Sequence, residues 1–241
     1  MTTPCQGQRT RLEWAPPRAA HHLETIIPYN PRMTRTAAST SDTKVARPRG
    51  RPREFDIDVA LDKAICVFRE RGYHATSIGD LSGAMELASG SLYKAFKDKR
   101  SIFLAAYDRY TAARALQVQQ VLATNEPALE RLRGLLGFYA ESSQGIEGRR
   151  GCLVVGSAIE LAAFDPAVAA RVNATLKRNE TVLAELIRAG HADGSIAPRV
   201  DAEATARVLL CLTQGLRVVG KTGRSRAELA AVVDAAMRLV A

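Results

Sequence analysis

From Asp56 onward, apolar residues return every three or four positions, and no stretch sustains apolar–polar alternation. That period belongs to helices rather than strands. In DIDVALDKAICVFRERG, Ile57, Leu61, Ala64, Ile65 and Phe68 share one helical face. Asp56 suits the N-cap and Gly72 the stop, and Arg69 and Arg71 fall in the last turn, where the helix dipole favours cations. Ser77-Ile-Gly-Asp80 has the spacing of a capping box, with Ile78, Leu81 and Met85 as its apolar stripe. After a short turn, ASGSLYKAF repeats Ala88, Leu92 and Phe96 at four-residue intervals, and a longer helix is expected from Asp98 to about Ala123. Beyond Pro127, helices are expected over roughly 127–143, 150–163, 166–190, 201–220 and 225–240. DPAV at 165–168 combines an N-cap with proline at the first helical position, while GHADGSIAP and KTGRS are expected loops.

The pattern predicts an all-α protein: a small three-helix head over 54–114 and a larger helical bundle over 115–241. Within the head, two short helices flank a tight turn between Ser77 and Phe96, the layout of a helix-turn-helix. In such a unit the second helix enters the major groove of DNA and the first braces on the backbone.

The residues of this unit carry a specific resemblance. TSIGDLSGAMELASGSLYKAFKDKRSIF, residues 76–103, resembles the DNA-binding signature of the TetR family of bacterial transcriptional regulators. The matching positions are Thr76–Ser77, Gly90-Ser91-Leu92-Tyr93, Phe96 and Lys99. The resemblance implies phosphate contacts from Thr76, Ser77, Tyr93 and Lys99, Tyr93 and Lys99 above all. Ser89, Gly90 and Ser91 are small enough to let the start of the recognition helix approach DNA closely. Lys94, one turn further on, is either a reader of base or phosphate or a solvated charge. The family's turn usually carries glycine where this chain has Glu86, so Glu86 is expected at positive φ, a cost of order 1 kcal/mol.

Charge adds a second DNA-directed feature. The chain of 241 residues carries a formal net charge of +9. Residues 1–55 hold ten basic side chains against four acidic ones, a surplus of six out of that nine. A localised basic excess points to a polyanion. Residues 1–46 show no sustained period and are expected to be a disordered extension, and Met33 is a candidate start. Residues 47–53 place Arg47, Arg49, Arg51 and Arg53 on alternate positions around PRGRP, which matches the short AT-hook type of minor-groove element. The alternatives are a solvated tail or an arm in which Arg49, Arg51 and Arg53 grip DNA beside the head.

Little else suggests chemistry. Cys5, Cys66, Cys152 and Cys211 are far apart and have no ligand spacing, so neither a disulfide scaffold nor a metal site is expected. No cofactor is implied. No catalytic constellation or phosphate-binding glycine loop stands out, so an enzyme is disfavoured. No apolar run of about 18 residues exists, and no membrane span or signal peptide is expected; the expected setting is the bacterial cytoplasm, associated with the nucleoid. Cys152 follows Arg149 and Arg150, which could lower its thiol pKa as in a sensor, although a free cysteine is usually a small buried hydrophobe.

The expected function is that of a homodimeric repressor of a palindromic double-stranded DNA operator. The helices near 201–220 and 225–240 would form the seam, with Val208, Leu209, Leu212, Leu216, Val219, Leu229, Val232, Val233 and Met237 shared between seam and core. An unidentified small-molecule effector would bind in the bundle near Phe138, Cys152, Ile159 and Phe164. An architectural DNA-binding protein without operator specificity is the rival.

Overall fold

Asp56 begins the fold by accepting the N–H groups of Asp58 (2.8 Å) and Val59 (3.4 Å), which starts α1 (Ile57–Arg71) at the expected residue. The structure, a computed structural model, describes residues 55–240. The expected extension and the arginine arm, with Arg49, Arg51 and Arg53, lie outside the described residues.

α2 (Ile78–Met85) opens with the expected capping box: Ser77 Oγ accepts from Asp80 N, and the Asp80 carboxylate accepts from Ser77 N. α3 (Ser89–Ala95) follows, then α4 (Lys99–Leu122), entered through a second box between Asp98 and Ser101. The bundle consists of α5 (Ala128–Glu141), α6 (Gly145–Arg150), α7 (Leu153–Glu160), α8 (Pro166–Asp193), α9 (Ala202–Val219) and α10 (Arg226–Met237). A 3-10 turn, Gly220–Thr222, joins the last two. Among the described residues there is no strand.

Two expectations change. The helix expected over 150–163 is two short ones, because Gly151 takes φ +83° and ends α6 in a backbone region that L side chains avoid. The chain restarts as α7 two residues later, pointing a new set of N–H groups toward Cys152. The other change is at the end of α8, which passes 190 and reaches Asp193 before Gly194 stops it at φ +78°. His191 therefore sits in the last turn of a helix, not in the expected loop.

Two apolar cores form. One joins the head to the bundle: Phe68, Leu81, Leu92, Phe103 and Tyr107 pack in the same cluster as Leu153, Val154, Val168 and Val172 from α7 and α8. The other lies among α5, α8, α9 and α10, around Leu136, Leu183, Ile187, Leu209, Leu216 and Leu229. α8 enters both, and α4 runs unbroken across the expected division at 114. Each large apolar side chain so buried contributes about 2 kcal/mol. The head is therefore stabilised in part by helices of the bundle, and its position answers to theirs.

Candidate nucleic-acid interface

Leu81, Met85 and Leu92 face inward and are buried, Leu92 completely. On a helix of seven residues this burial leaves Ser89, Gly90, Tyr93 and Lys94 on the outside. Tyr93 is 54% exposed and so does not pack in the core. The turn ahead of α3 holds Glu86 at φ 57° and ψ 38°, the left-handed conformation expected there. It is the one non-glycine residue with positive φ among the described residues. Ser82 Oγ donates to Leu87 O across the turn, and Lys63 Nζ pairs with Glu86 Oε1 at 2.8 Å. The Glu86 carboxylate is thus drawn toward α1, where a cation neutralises it.

α3 begins differently from its neighbours. α2 and α4 are closed by capping boxes, whereas Ala88 at the start of α3 supplies no side-chain acceptor. The leading N–H groups of α3 accordingly have no side-chain cap. A Cβ built on Gly90 would meet nothing within 4 Å, so packing within the chain does not demand glycine there. What its missing side chain does is leave the outer surface of the helix start bare.

Two of the expected phosphate residues are engaged within the protein. Thr76 is 1% exposed, and its hydroxyl donates to Gly72 O at 2.6 Å. Lys99 Nζ donates to Tyr73 O (3.0 Å) and Thr76 O (2.9 Å) and lies 4.3 Å from the centre of the Tyr73 ring. The buried threonine and the occupied ammonium brace the α1–α2 loop. These internal bonds stand beside the expected phosphate contacts: Gly72 O and Thr76 O receive a donor, and Tyr73 O, which already accepts Thr76 N at 3.2 Å, receives a second. Ser77, although exposed, has its hydroxyl inside the α2 capping box, donating to Asp80 Oδ2 at 2.7 Å. Those bonds hold the Asp80 carboxyl below its usual range.

The same loop is where the bundle grips the head. Glu160 Oε2, at the end of α7, accepts the N–H groups of Tyr73 (2.8 Å) and His74 (3.3 Å). Gly72 has φ +82°, and a Cβ on it would stand 2.2 Å from Glu160 Oε1, so conformation and closeness both require glycine. Arg69 in α1 donates through Nε to Gly151 O (2.8 Å) and pairs with Glu147 (3.0 Å). Arg100 grips Asp165, the N-cap of α8, with two bonds of 2.6 and 2.9 Å. Sequence reasoning missed Glu160 and Arg69 in this role, since their partners are loop atoms about eighty residues away.

In the bundle a cavity of about 140 Å³ lies between α4, α5, α8 and α9. Phe138 and Cys152 line it as expected residues of an effector pocket. Ile159 lines a neighbouring cleft against α1, which shares Cys152 and Arg217 with that cavity, and it is 73% exposed. Phe164 lines neither and is 82% exposed in the turn after α7. The structure thus brings Phe138 and Cys152 together and sets Ile159 and Phe164 apart from that cavity. Burial works to raise the Cys152 thiol pKa, but the Arg217 guanidinium, the Val154 and Val155 N–H groups and the Tyr110 hydroxyl outweigh it and lower the pKa overall. The charge beside the thiol is Arg217, not the expected Arg149 and Arg150; Arg150 instead pairs with Glu70 and Glu147.

Among the described residues no helix is long and apolar enough to cross a membrane, and no group of three His, Cys, Asp or Glu side chains could hold a metal ion. A helix-turn-helix with an outward second helix, joined to a helical bundle with an internal cavity, defines a DNA-binding regulator. Residues 60–106 match the family model described as bacterial regulatory proteins, tetR family, and residues 128–236 match the tetracyclin repressor-like C-terminal domain. The transcriptional repressor ComR of Escherichia coli K12 is 29% identical over 205 residues, 84% of this chain and 97% of ComR. The transcriptional regulator AcuR of Cereibacter sphaeroides is 32% identical over 168 residues, 66% of this chain and 74% of AcuR. Among solved structures, a cysteine mutant of the TetR-family regulator CifR with 26-bp double-strand operator DNA is 35% identical, with a TM-score of 0.68. That match covers 78% of this chain and 98% of CifR. The chain belongs to the TetR family of bacterial transcriptional regulators.

Proposed function

We propose that the protein represses transcription by binding a palindromic operator as a homodimer, and that a small molecule in the bundle cavity releases it. The observation that carries this reading is the bare outer face of α3, with Ser89, Gly90, Tyr93 and Lys94 outward and Leu92 anchoring the helix from behind. Gly90 and the uncapped N–H groups suit close approach to a phosphate, Tyr93 adds a hydroxyl, and Lys94 reaches toward base edges or backbone. Ser91, half-buried, and Ser77 stand at the margins of that face. Arg49, Arg51 and Arg53 extend the grip into the neighbouring minor groove.

A second, apolar surface supports the dimer. Val208, Val218 and Val219 on α9 and Val232 on α10 are exposed, whereas Leu209, Leu216, Leu229, Val233 and Met237 on the same helices are buried within the subunit. A self-complementary pairing of such a face gives two-fold symmetry, and two-fold symmetry gives a palindromic site. The link from cavity to head is short. Gly151 O accepts both Arg217 Nη2 from the cavity wall (3.1 Å) and Arg69 Nε from α1 (2.8 Å), so a ligand that moves Arg217 disturbs the hold on α1.

Selection of binding sites from random double-stranded DNA with the full chain tests the reading. The expected product is a palindrome bound at least a thousand-fold more tightly than random sequence. Tyr93→Ala should weaken all sequences alike, Lys94→Ala should relax one position or flatten the salt dependence, and Arg49→Ala with Arg51→Ala should flatten it further. Recovery of no preferred sequence overturns the operator reading in favour of an architectural role.

A further inference from the structure

The cavity between α4, α5, α8 and α9 has an uneven charge. Arg114, Arg178 and Arg217 line it, and no aspartate or glutamate does. Arg217 is 2% exposed. Its Nη2 donates to Gly151 O at 3.1 Å and its Nη1 to Ser143 Oγ at 3.4 Å, while Nε is buried without an acceptor. Among the described residues no carboxylate pairs with it. A buried guanidinium without a counter-ion is unfavourable, and a planar carboxylate is the group whose geometry best matches its fork.

The rest of the cavity describes the other end of such a ligand. Val118, Leu122, Phe138 and Val182 form an apolar wall. Arg114 lies over the Phe138 ring at 4.7 Å and donates to Gln117 at 3.0 Å, so a second guanidinium stands half-exposed at the edge of the cavity. A volume of about 140 Å³ is close to that of the roughly 150 Å³ engineered cavity that accepts benzene.

Resting on the effector reading above, we propose that this cavity binds a small organic monocarboxylate, its charged end on Arg217 and Arg114 and its short apolar body against Phe138 and Val182. Without the acid, the Arg217 guanidinium helps to lower the pKa of the Cys152 thiol, which also receives the Tyr110 hydroxyl at 3.7 Å. The incoming carboxylate offsets that guanidinium, so the thiol holds its proton more firmly when the acid is bound.

The test uses the full chain, titrated calorimetrically with propionate, hexanoate and benzoate and with the three corresponding amides, alongside release of the selected operator. At least one acid should bind at least ten-fold more tightly than its amide. Arg114→Gln should weaken that acid at least five-fold, and Arg217→Met should abolish its binding. The bound acid should also slow alkylation of Cys152 by iodoacetamide at least three-fold at neutral pH, with the exposed Cys211 as internal reference. Arg114→Gln keeps the test valid should the buried substitution fail to fold.

Amides that bind as tightly as acids, or acids indifferent to both substitutions, overturn the carboxylate proposal; operator release by those amides leaves the effector reading in place. Failure of the three acids to bind at millimolar concentration also overturns it. The effector reading falls separately, if a broad set of neutral compounds of similar size leaves the operator bound as well.

Discussion

Lys99 in the head and Arg217 in the bundle are both cations turned toward backbone carbonyls, and they answer to opposite demands. Lys99 finds the Tyr73 and Thr76 carbonyls and the face of the Tyr73 ring, which together occupy its ammonium. Arg217 is more deeply buried, shares its one carbonyl acceptor, Gly151 O, with Arg69, and leaves Nε without an acceptor. The head is thus internally satisfied except along the outer face of α3, where satisfaction has to come from outside. The bundle is unsatisfied at its centre. On the proposed reading, the bare face of α3 and the Nε of Arg217 mark where DNA and a small molecule belong, whereas Arg131 Nε and His191 Nε2, also buried without a partner, lie away from the cavity.

The largest expected effect sets these two cations against each other. Lys99→Met removes the donor to two loop carbonyls and should cost about 2 kcal/mol, lowering Tm by about 4 to 8 °C in a chain of this size. Operator affinity should fall with it, because the loop sets the entry of α2. Arg217→Met removes an unneutralised charge while Gly151 O keeps its bond from Arg69, so the ligand-free protein should change by less than about 1 kcal/mol. Thermal unfolding of the two variants side by side checks this. Equal losses would make Arg217 as structural as Lys99 and dissolve the contrast.

What could be read before the fold was known is what is local in sequence. Asp56, Ser77 with Asp80, Asp98 and Asp165 cap helices within three residues of themselves, and the positive φ of Glu86 was implied by the glycine that the resembled family carries at that turn. The apolar stripes likewise showed which face of each helix is buried. They do not show against what: Arg69 reaches a carbonyl 82 residues away, and Arg217 one 66 residues away. Arg217 did leave a trace, since it falls beside Leu216 on the same face as Thr213, the only arginine on the inner side of α9. The internal bonds of Thr76 and Lys99 went unread for a related reason. A motif shows that residues of those types are needed at those positions, and a hydroxyl or ammonium can serve the loop as well as a phosphate.

A smaller effect tests the joint between the regions. Two bonds from Arg100, with the Val168 and Ala167 N–H groups, hold the Asp165 carboxyl at a pKa of about 2. Because the folded value lies below the ordinary value of about 3.9, the stabilisation is complete above about pH 4 and is lost as pH falls toward 2. Asp165→Ala should cost about 1 kcal/mol at neutral pH through the lost cap. Asp165→Asn keeps a cap acceptor, so it should cost less and flatten the decline in Tm between pH 4 and 2. A decline as steep as in the unaltered protein would place the acid sensitivity elsewhere than at this joint.

The smallest effect probes the turn that aims α3. Glu86→Gly relieves a left-handed conformation costing of order 1 kcal/mol, but it removes the Lys63 pair and loosens the unfolded chain. The exposed pair is worth about 0.3 kcal/mol, and the added chain entropy offsets about as much again. A net gain of about 0.5 kcal/mol is expected, near 1 to 2 °C in Tm. Operator affinity should rise slightly, since a carboxylate beside the DNA-facing helix is removed together with the strain. A loss of stability would mean that the Lys63 pair, and not the left-handed backbone, governs this turn, and that the head, unlike the bundle with Arg217, leans on one of its charges for stability.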